Sequence, residues 1–206
     1  MRRLLLPALL LGLGACSLPT SQVPPATVYR LSVPALSAAP RRPVHLVVDV
    51  AYTAPELDTD AIVIELPGHR LDTVAAARWP VSLPRYVQQQ LIRAFSRSGA
   101  FRQVSDTPVP GAINYRLRLD VLDFRVDETD DPASPTVRVR LHGLLQRLDE
   151  IEPGGGVALP AEARQAAGTR RMQAIMAAFD TAFAQAAGRL AAGVMAALPA
   201  ADGASP

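Results

Sequence analysis

The side chains able to do chemistry in this chain are few. All 21 basic residues are arginine. The absence of lysine removes the phosphate-holding lysine of a P-loop, Schiff-base chemistry and every serine–lysine arrangement. His45, His69 and His142 are too scattered for a helical ligand pair, and one cysteine cannot build a zinc site or a disulfide framework. Neither a G-x-S-x-G elbow nor a G-x-G-x-x-G loop occurs, and Gly154-Gly155-Gly156 cannot act as a Walker motif without lysine. Asp127-Glu128-Thr129-Asp130-Asp131 gathers oxygens as a calcium loop does. It lacks the central glycine and distal glutamate of an EF-hand and falls where a hairpin turn is expected, so it reads as a solvated loop. Glu150 and Glu152 sit in a glycine-rich loop, where solvation explains them. No enzymatic activity, no bound cofactor and no metal site are expected.

One reactive group remains, the Cys16 thiol. Met1-Arg2-Arg3 is a short positive segment and residues 4–15 form an apolar run. Twelve residues of helix span about 18 Å, short of a ~30 Å hydrocarbon core, so the run reads as a signal peptide over residues 1–15. It ends in Leu13-Gly14-Ala15-Cys16, the pattern of a bacterial lipobox. There the thiol takes a diacylglyceryl group, cleavage follows Ala15, and the new amine takes an acyl chain such as palmitate. An ordinary secretory signal with a chance cysteine is the alternative. Three acyl chains exceed the two membrane signals that stable anchoring requires. Ser17, rather than aspartate, follows the cysteine, which favours the outer membrane with the body on its periplasmic face.

Losing the leader removes Arg2 and Arg3 and leaves 19 arginines against 19 acids. A pI near 9.1 for the whole sequence therefore gives no ground for nucleic-acid binding. No arginine run exceeds two residues and none is interleaved with aromatics. At 206 residues, 49% hydrophobic and 19% charged, the chain suits one folded domain and is too apolar for disorder.

The elements that must position any surface follow from periodicity. Residues 16–27, the lipidated Cys16 and a proline-rich stretch, read as a flexible tether; 28–199 as the domain; 200–206 as a loose tail. A short strand begins at Val28, and residues 34–43 read as a loop. Residues 44–50 are almost continuously apolar and β-branched, the profile of a strand covered on both faces. Residues 61–66 and 69–74 flank Pro67-Gly68 and read as a hairpin. Leu83, Val87, Leu91 and Phe95 recur every four residues and predict a helix over 82–98, with Ser82 as N-cap and Gly99 past its end. Residues 101–104 suit a short strand. In 113–126 the apolar residues hold odd positions to Val121 and even positions from Leu122, so a β-bulge is expected there. Residues 137–145 pair with that strand as an antiparallel hairpin. Residues 172–198 predict a long alanine-rich helix that Asp180 and Arg189 disqualify from crossing a membrane. Leu91, Phe95, Phe179, Phe183 and the inward face of the strand from Ile113 are the expected core.

The polar side of the hairpin carries Arg116, Arg118, Arg138 and Arg140. They suit a solvated face paired with Asp120 and Asp123, or a surface that meets an acidic partner or a lipid phosphate.

A familiar order then emerges. After the lipobox come Val28-Tyr29-Arg30-Leu31, the apolar strand at Val44, and Arg78-Trp79-Pro80 leading into a helix. Ser98-Gly99-Ala100-Phe101-Arg102-Gln103-Val104, the Tyr115-Arg116-Leu117 strand and Ala178-Phe179-Asp180-Thr181-Ala182 follow. This resembles the ABC-type transport auxiliary lipoproteins, the PqiC-like or YmbA-like outer-membrane components of MCE-domain lipid-transport systems. The resemblance implies a three-layer α/β domain with a mixed β-sheet and packed helices, similar to the TolB N-terminal domain. It also implies a non-enzymatic accessory that docks an MCE-domain protein and its ABC permease system, with phospholipid as a further partner and homo-oligomers as the working form. A structural lipoprotein of outer-membrane assembly, a plug or docking factor for a β-barrel, is the alternative. Trp79, expected to be exposed near a helix start, and Arg116 and Arg138 are the candidate partner contacts.

Overall fold

The computed structural model describes residues 25–149 and 155–199. The expected signal peptide, Cys16, most of the expected tether, Glu150, Glu152 and Gly154, and the expected tail at 200–206 lie outside the described residues. The elements run β1 (Thr27–Val28), β2 (Arg42–Val48), β3 (Tyr52–Thr53), β4 (Ala61–Leu66), β5 (Arg70–Arg78), α1 (Leu83–Ser98), β6 (Phe101–Ser105), β7 (Asn114–Asp127), β8 (Thr136–Arg147), β9 (Val157–Ala166) and α2 (Met172–Ala197).

The nine strands form one mixed sheet, and β7 is its axis. Fourteen residues of strand reach about 46 Å, long enough to take several short partners end to end along one edge. His45–Val48 of β2 lie parallel to Asn114–Leu117, Tyr52 lies opposite Asp120, and Ile64 of β4 lies opposite Val126. The other edge pairs with β8, antiparallel along nearly its whole length. Beyond β2 comes β6, beyond β4 come β5 and β1, and beyond β8 comes β9.

The phase change in β7 is resolved as its parity requires. Val121 pairs with Leu141 and Asp123 with Arg140, leaving Leu122 as the extra residue of a bulge. Tyr115 to Val121 at odd positions and Phe124 and Val126 at even ones are therefore all buried. Two expectations shift slightly. Leu122 turns outward at the bulge, and Ile113, just before the strand, is 46% exposed and outside the core.

Strand β9 is an addition to the sequence reading, which assigned nothing to it. Its inward residues are Leu159, Ala161 and Ala163, too weakly apolar to show alternation, and Pro160 argues against a central strand. The proline is accommodated because β9 pairs on one side only, with β8.

Both helices pack on the face carrying Leu117, Leu119 and Phe124, giving the mixed sheet with packed helices that the resemblance implies. In α1, Leu83, Val87, Leu91 and Phe95 are all buried, and Gly99 closes the helix in the left-handed region at φ 68°. Ser82 holds the N-cap position without a side-chain cap bond; the Leu83 N–H donates instead to the Thr59 carbonyl at 2.9 Å. On α2, Phe179 and Phe183 are buried as expected. The approach of α2 depends on glycine. A Cβ at Gly143 on β8 would stand 2.7 Å from Leu190 Cδ1 and 3.0 Å from Leu117 Cδ1.

Candidate docking face

The first partner contact expected from sequence is overturned. Trp79 is 1% exposed. It follows β5, its N–H donating to the Asp60 carbonyl at 2.7 Å, and points between the helices and the sheet. Its ring stacks on Tyr86 at 5.6 Å and meets Phe124 and Phe179 edge-on at 5.8 and 5.2 Å. An aromatic residue before a helix start can point either way, and the apolar space beneath α1 and α2 takes the indole. Trp79 is core and cannot touch a partner.

Motif residues shared with the resembling family are structural here as well. The Leu31 N–H donates to the Tyr86 hydroxyl at 2.6 Å, and the Ser32 N–H to Asp180 Oδ1 at 2.6 Å. The segment after β1 is thereby pinned to both helices. His45 is buried against Asn114 Oδ1 and Ser105 Oγ at 2.7 and 2.8 Å, a satisfied core histidine. Among the described residues no group of His, Cys, Asp and Glu could hold a metal ion, and no helix is long and apolar enough to cross a membrane.

The face of β7 and β8 turned away from the helices carries the charges. Arg116 Nε lies 3.5 Å from Asp49 Oδ1, and Arg138 pairs with Asp127. Arg125 reaches Glu65 at 2.9 Å and Asp123 at 3.2 Å. The partners thus differ from those expected: Asp120 faces His142 at 3.4 Å instead of an arginine. Several carboxylates here are buried beneath the guanidinium groups. Glu65 is 7% exposed, Asp123 5% and Asp127 4%.

The acidic run is accordingly less solvated than its sequence suggests. Asp127 and Glu128 are both buried, and Arg170 holds Glu128 through two bonds, Nε to Oε1 at 2.9 Å and Nη2 to Oε2 at 2.8 Å. Their partners come from elsewhere in the chain, which a local reading of the loop cannot see.

Burial and pairing pull neighbouring carboxylates in opposite directions. Burial pushes Asp123 above the ordinary aspartate range, and Arg125, Arg140 and Arg138 only partly offset it. Burial also acts on Asp127, but the Thr129 hydroxyl and N–H, with Arg138 and Arg125, outweigh it and hold the carboxyl low. Burial raises Asp49 too, against the pull of Arg116 and Arg118. This arrangement offsets charge inside the sheet face.

The family model for the ABC-type transport auxiliary lipoprotein component matches residues 29–191. The chain belongs to this family. Protein XCC0632 from Xanthomonas campestris, of the DUF330 family, has a similar crystal structure at a TM-score of 0.68 and 20% identity, covering 83% of this chain and 97% of that one. The crystal structure of an uncharacterized protein is similar at a TM-score of 0.61 and 15% identity, covering 79% and 99%. These likenesses show the fold. No curated protein matches the chain. Membership carries a coarse description, a lipoprotein auxiliary component of an ABC-type transport system.

The auxiliary-lipoprotein fold leaves two sets of exposed side chains here: one the sequence reading did not single out, and one it placed on the polar face of the hairpin. Tyr52, in the two-residue β3, is 66% exposed and Leu122 at the bulge 50%. Arg118 and Arg140, exposed beside them, have no carboxylate within 4.0 Å among the described residues.

Proposed function

We propose that this auxiliary lipoprotein is a non-enzymatic accessory of an MCE-type ABC lipid-transport system. In this reading Cys16 carries the acyl chains, the outer membrane holds them, and the domain stands in the periplasm as the docking point for the periplasmic end of the MCE-domain protein. It takes no cofactor beyond its lipid and acts in several copies. The observation that carries the reading is the family match over residues 29–191 behind a lipobox-like Leu13-Gly14-Ala15-Cys16. Support comes also from the site. Its buried ionic groups are paired with one another and His45 is held between Asn114 and Ser105 inside the fold, an arrangement suited to holding a rigid surface.

The test is co-expression of the full lipidated chain with the co-encoded MCE-domain protein, followed by membrane separation and co-purification. A stable complex with the lipoprotein in outer-membrane fractions is the expected result. Inner-membrane residence, no complex in any lipid, or substrate turnover by the purified protein alone would overturn the reading.

A further inference from the structure

We infer that the open edge of β9 is a dimer contact, where a second copy of this chain adds its own β9 antiparallel about Ala163 and sets Glu162 of one copy opposite Arg164 of the other. The inference deepens the proposed function by giving its several copies a contact, and it rests on that reading only for its membrane setting.

The backbone is the first ground. The Ala167 N–H donates to the Pro135 carbonyl at 2.8 Å, directly opposite it in the register of β8 and β9. Residues facing each other across antiparallel strands alternate between exchanging both bonds and exchanging none. Odd-numbered residues of β9 therefore point their N–H and C=O groups at β8, and even-numbered ones point theirs away. Among the described residues no strand lies beyond β9. Ala158, Pro160, Glu162, Arg164 and Ala166 thus present a row of open backbone groups, the kind of edge to which another strand adds. Pro160 lacks its N–H where no bond to β8 is lost. Leu159, Ala161 and Ala163, on the helix side, are buried and hold the edge in place.

Charge is the second ground and selects both the occupant and the register. A row of like charges would repel a second copy. Glu162 and Arg164 are one of each sign, exposed and paired at 3.2 Å. On β8, Arg140 stands opposite Glu162 and Arg138 opposite Arg164. Like charges directly opposite are unfavourable, so Arg164 gains from a second carboxylate on its open side. Pairing must join even residues to even residues, since only these point outward. Centred on Glu162 or on Arg164, a symmetric pair sets like charges opposite. Centred on Ala161, it faces Glu162 with Pro160 and loses a bond on either side of the axis. Centred on Ala163, each Glu162 meets Arg164 of the other copy in a pair that exchanges both backbone bonds, and the Ala166 N–H reaches the Pro160 carbonyl. Pro160 then faces the Ala166 carbonyl, which Gln165 Nε2 already meets at 3.3 Å, so the missing N–H leaves no group unpaired. The same surface serves both copies, which closes the contact.

The test is oxidative crosslinking of the full lipidated chain in its own membrane. Ala163→Cys sits on the symmetry axis, Val157→Cys is the exposed control on the same strand, and the unsubstituted chain is the blank for Cys16. Opposite residues that exchange no bonds stand about 4.5 Å apart at Cα, within disulfide reach, whereas the two copies of residue 157 would lie about 40 Å apart. The expected result is a disulfide-linked dimer of this chain from 163 and none from 157. Arg164→Glu should cut that dimer roughly tenfold, because carboxylates alone then meet at the axis. Its fold should hold, since Arg140 and Arg138 on β8 then each face an acid, and its melting curve checks this. Amide hydrogen exchange on the unsubstituted chain reads the contact without cysteine, and decides if Ala163→Cys does not fold: the Glu162, Arg164 and Ala166 N–H groups should be protected, and open again in Arg164→Glu. No dimer from a folded Ala163→Cys, fast exchange at those groups, an equal band from 157, linkage to a different protein, or a band indifferent to Arg164→Glu would each overturn the inference. A linked dimer that forms no complex with the MCE-domain protein would keep the contact and overturn the proposed function; that complex without the dimer would do the reverse.

Discussion

Trp79→Ala should act on stability and leave no specific signature in partner recognition. The indole is 1% exposed and sits among Tyr86, Phe124 and Phe179, one ring stacked and two edge-on. Truncating a buried aromatic costs about 3–5 kcal/mol, because the transfer energy is lost and neighbours only partly refill the space. Three ring contacts push the value to the upper part of that range. A domain of this size holds about 5–15 kcal/mol in all, so the variant should lose a large share of its stability. At about 2–4 °C per kcal/mol, its melting temperature should fall by some ~10–20 °C. Trp79 is the only tryptophan, so its fluorescence reports this site alone. Native emission should be blue-shifted and move to the red in urea, in one transition with far-ultraviolet circular dichroism. Trp79→Phe, which keeps an aromatic ring, should recover a good part of the loss. A solvent-like native emission, or a Trp79→Ala midpoint equal to wild type, would refute the burial argument and restore the residue as a surface contact.

Gly143→Ala should cost about 1–3 kcal/mol by overpacking, since its methyl would press on Leu190 and Leu117 in a filled core; a denaturation midpoint equal to wild type would mean that α2 can lift freely. Asp127, held below its ordinary value of 3.8, stabilises the fold above that value and loses this contribution as pH falls through its folded value. Asp127→Asn should therefore lose about 1–3 kcal/mol in urea titrations at pH 7, and the gap to wild type should close in acid; a gap that stays constant to pH 3 contradicts the assignment. Asp123 has the opposite sign. Its raised value means that stability falls as pH climbs from 3.8 through the folded value. Asp123→Asn should be nearly neutral or stabilising at pH 7, and a loss above about 2 kcal/mol there would show that the charge is needed.

Elements whose side chains repeat with a strong apolar period were legible in the sequence. The helix over α1 and the bulge in β7 followed from parity and spacing alone, because a one-residue phase slip has no other way to keep Phe124 and Val126 inside. What escaped was carried by weak or non-local signals. Alanine alternation in β9 has little contrast with its polar neighbours, and Tyr52 belongs to a two-residue strand that exists only because β7 is long enough to receive it. Trp79 was misplaced for a related reason. Its side is decided by the gap between two helices distant in sequence, and no local pattern records that gap.

The charged face shows why a site of this kind resists local reading even when its residues are noticed. The sequence places Arg116, Arg118, Arg138 and Arg140 on one face, and that much is correct. It cannot say which of them are spent. Register assigns Asp49 to Arg116 and Asp127 to Arg138, while Arg125, overlooked at first, takes both Glu65 and Asp123. Asp127 is buried with its carboxyl held low, so removing Arg138 leaves an uncompensated charge and costs stability. Arg118 and Arg140 have no carboxylate within 4.0 Å among the described residues and act on Asp49 and Asp123 only from further away. Arg116 and Arg138, the original candidates, are thus the arginines whose loss would confuse folding with docking. Arg118 and Arg140 stand further from their acids, so Arg118→Gln and Arg140→Gln should lower the melting temperature less than Arg138→Gln, which strips the buried Asp127 of its direct partner; an equal fall in all three would show that the direct contact adds nothing.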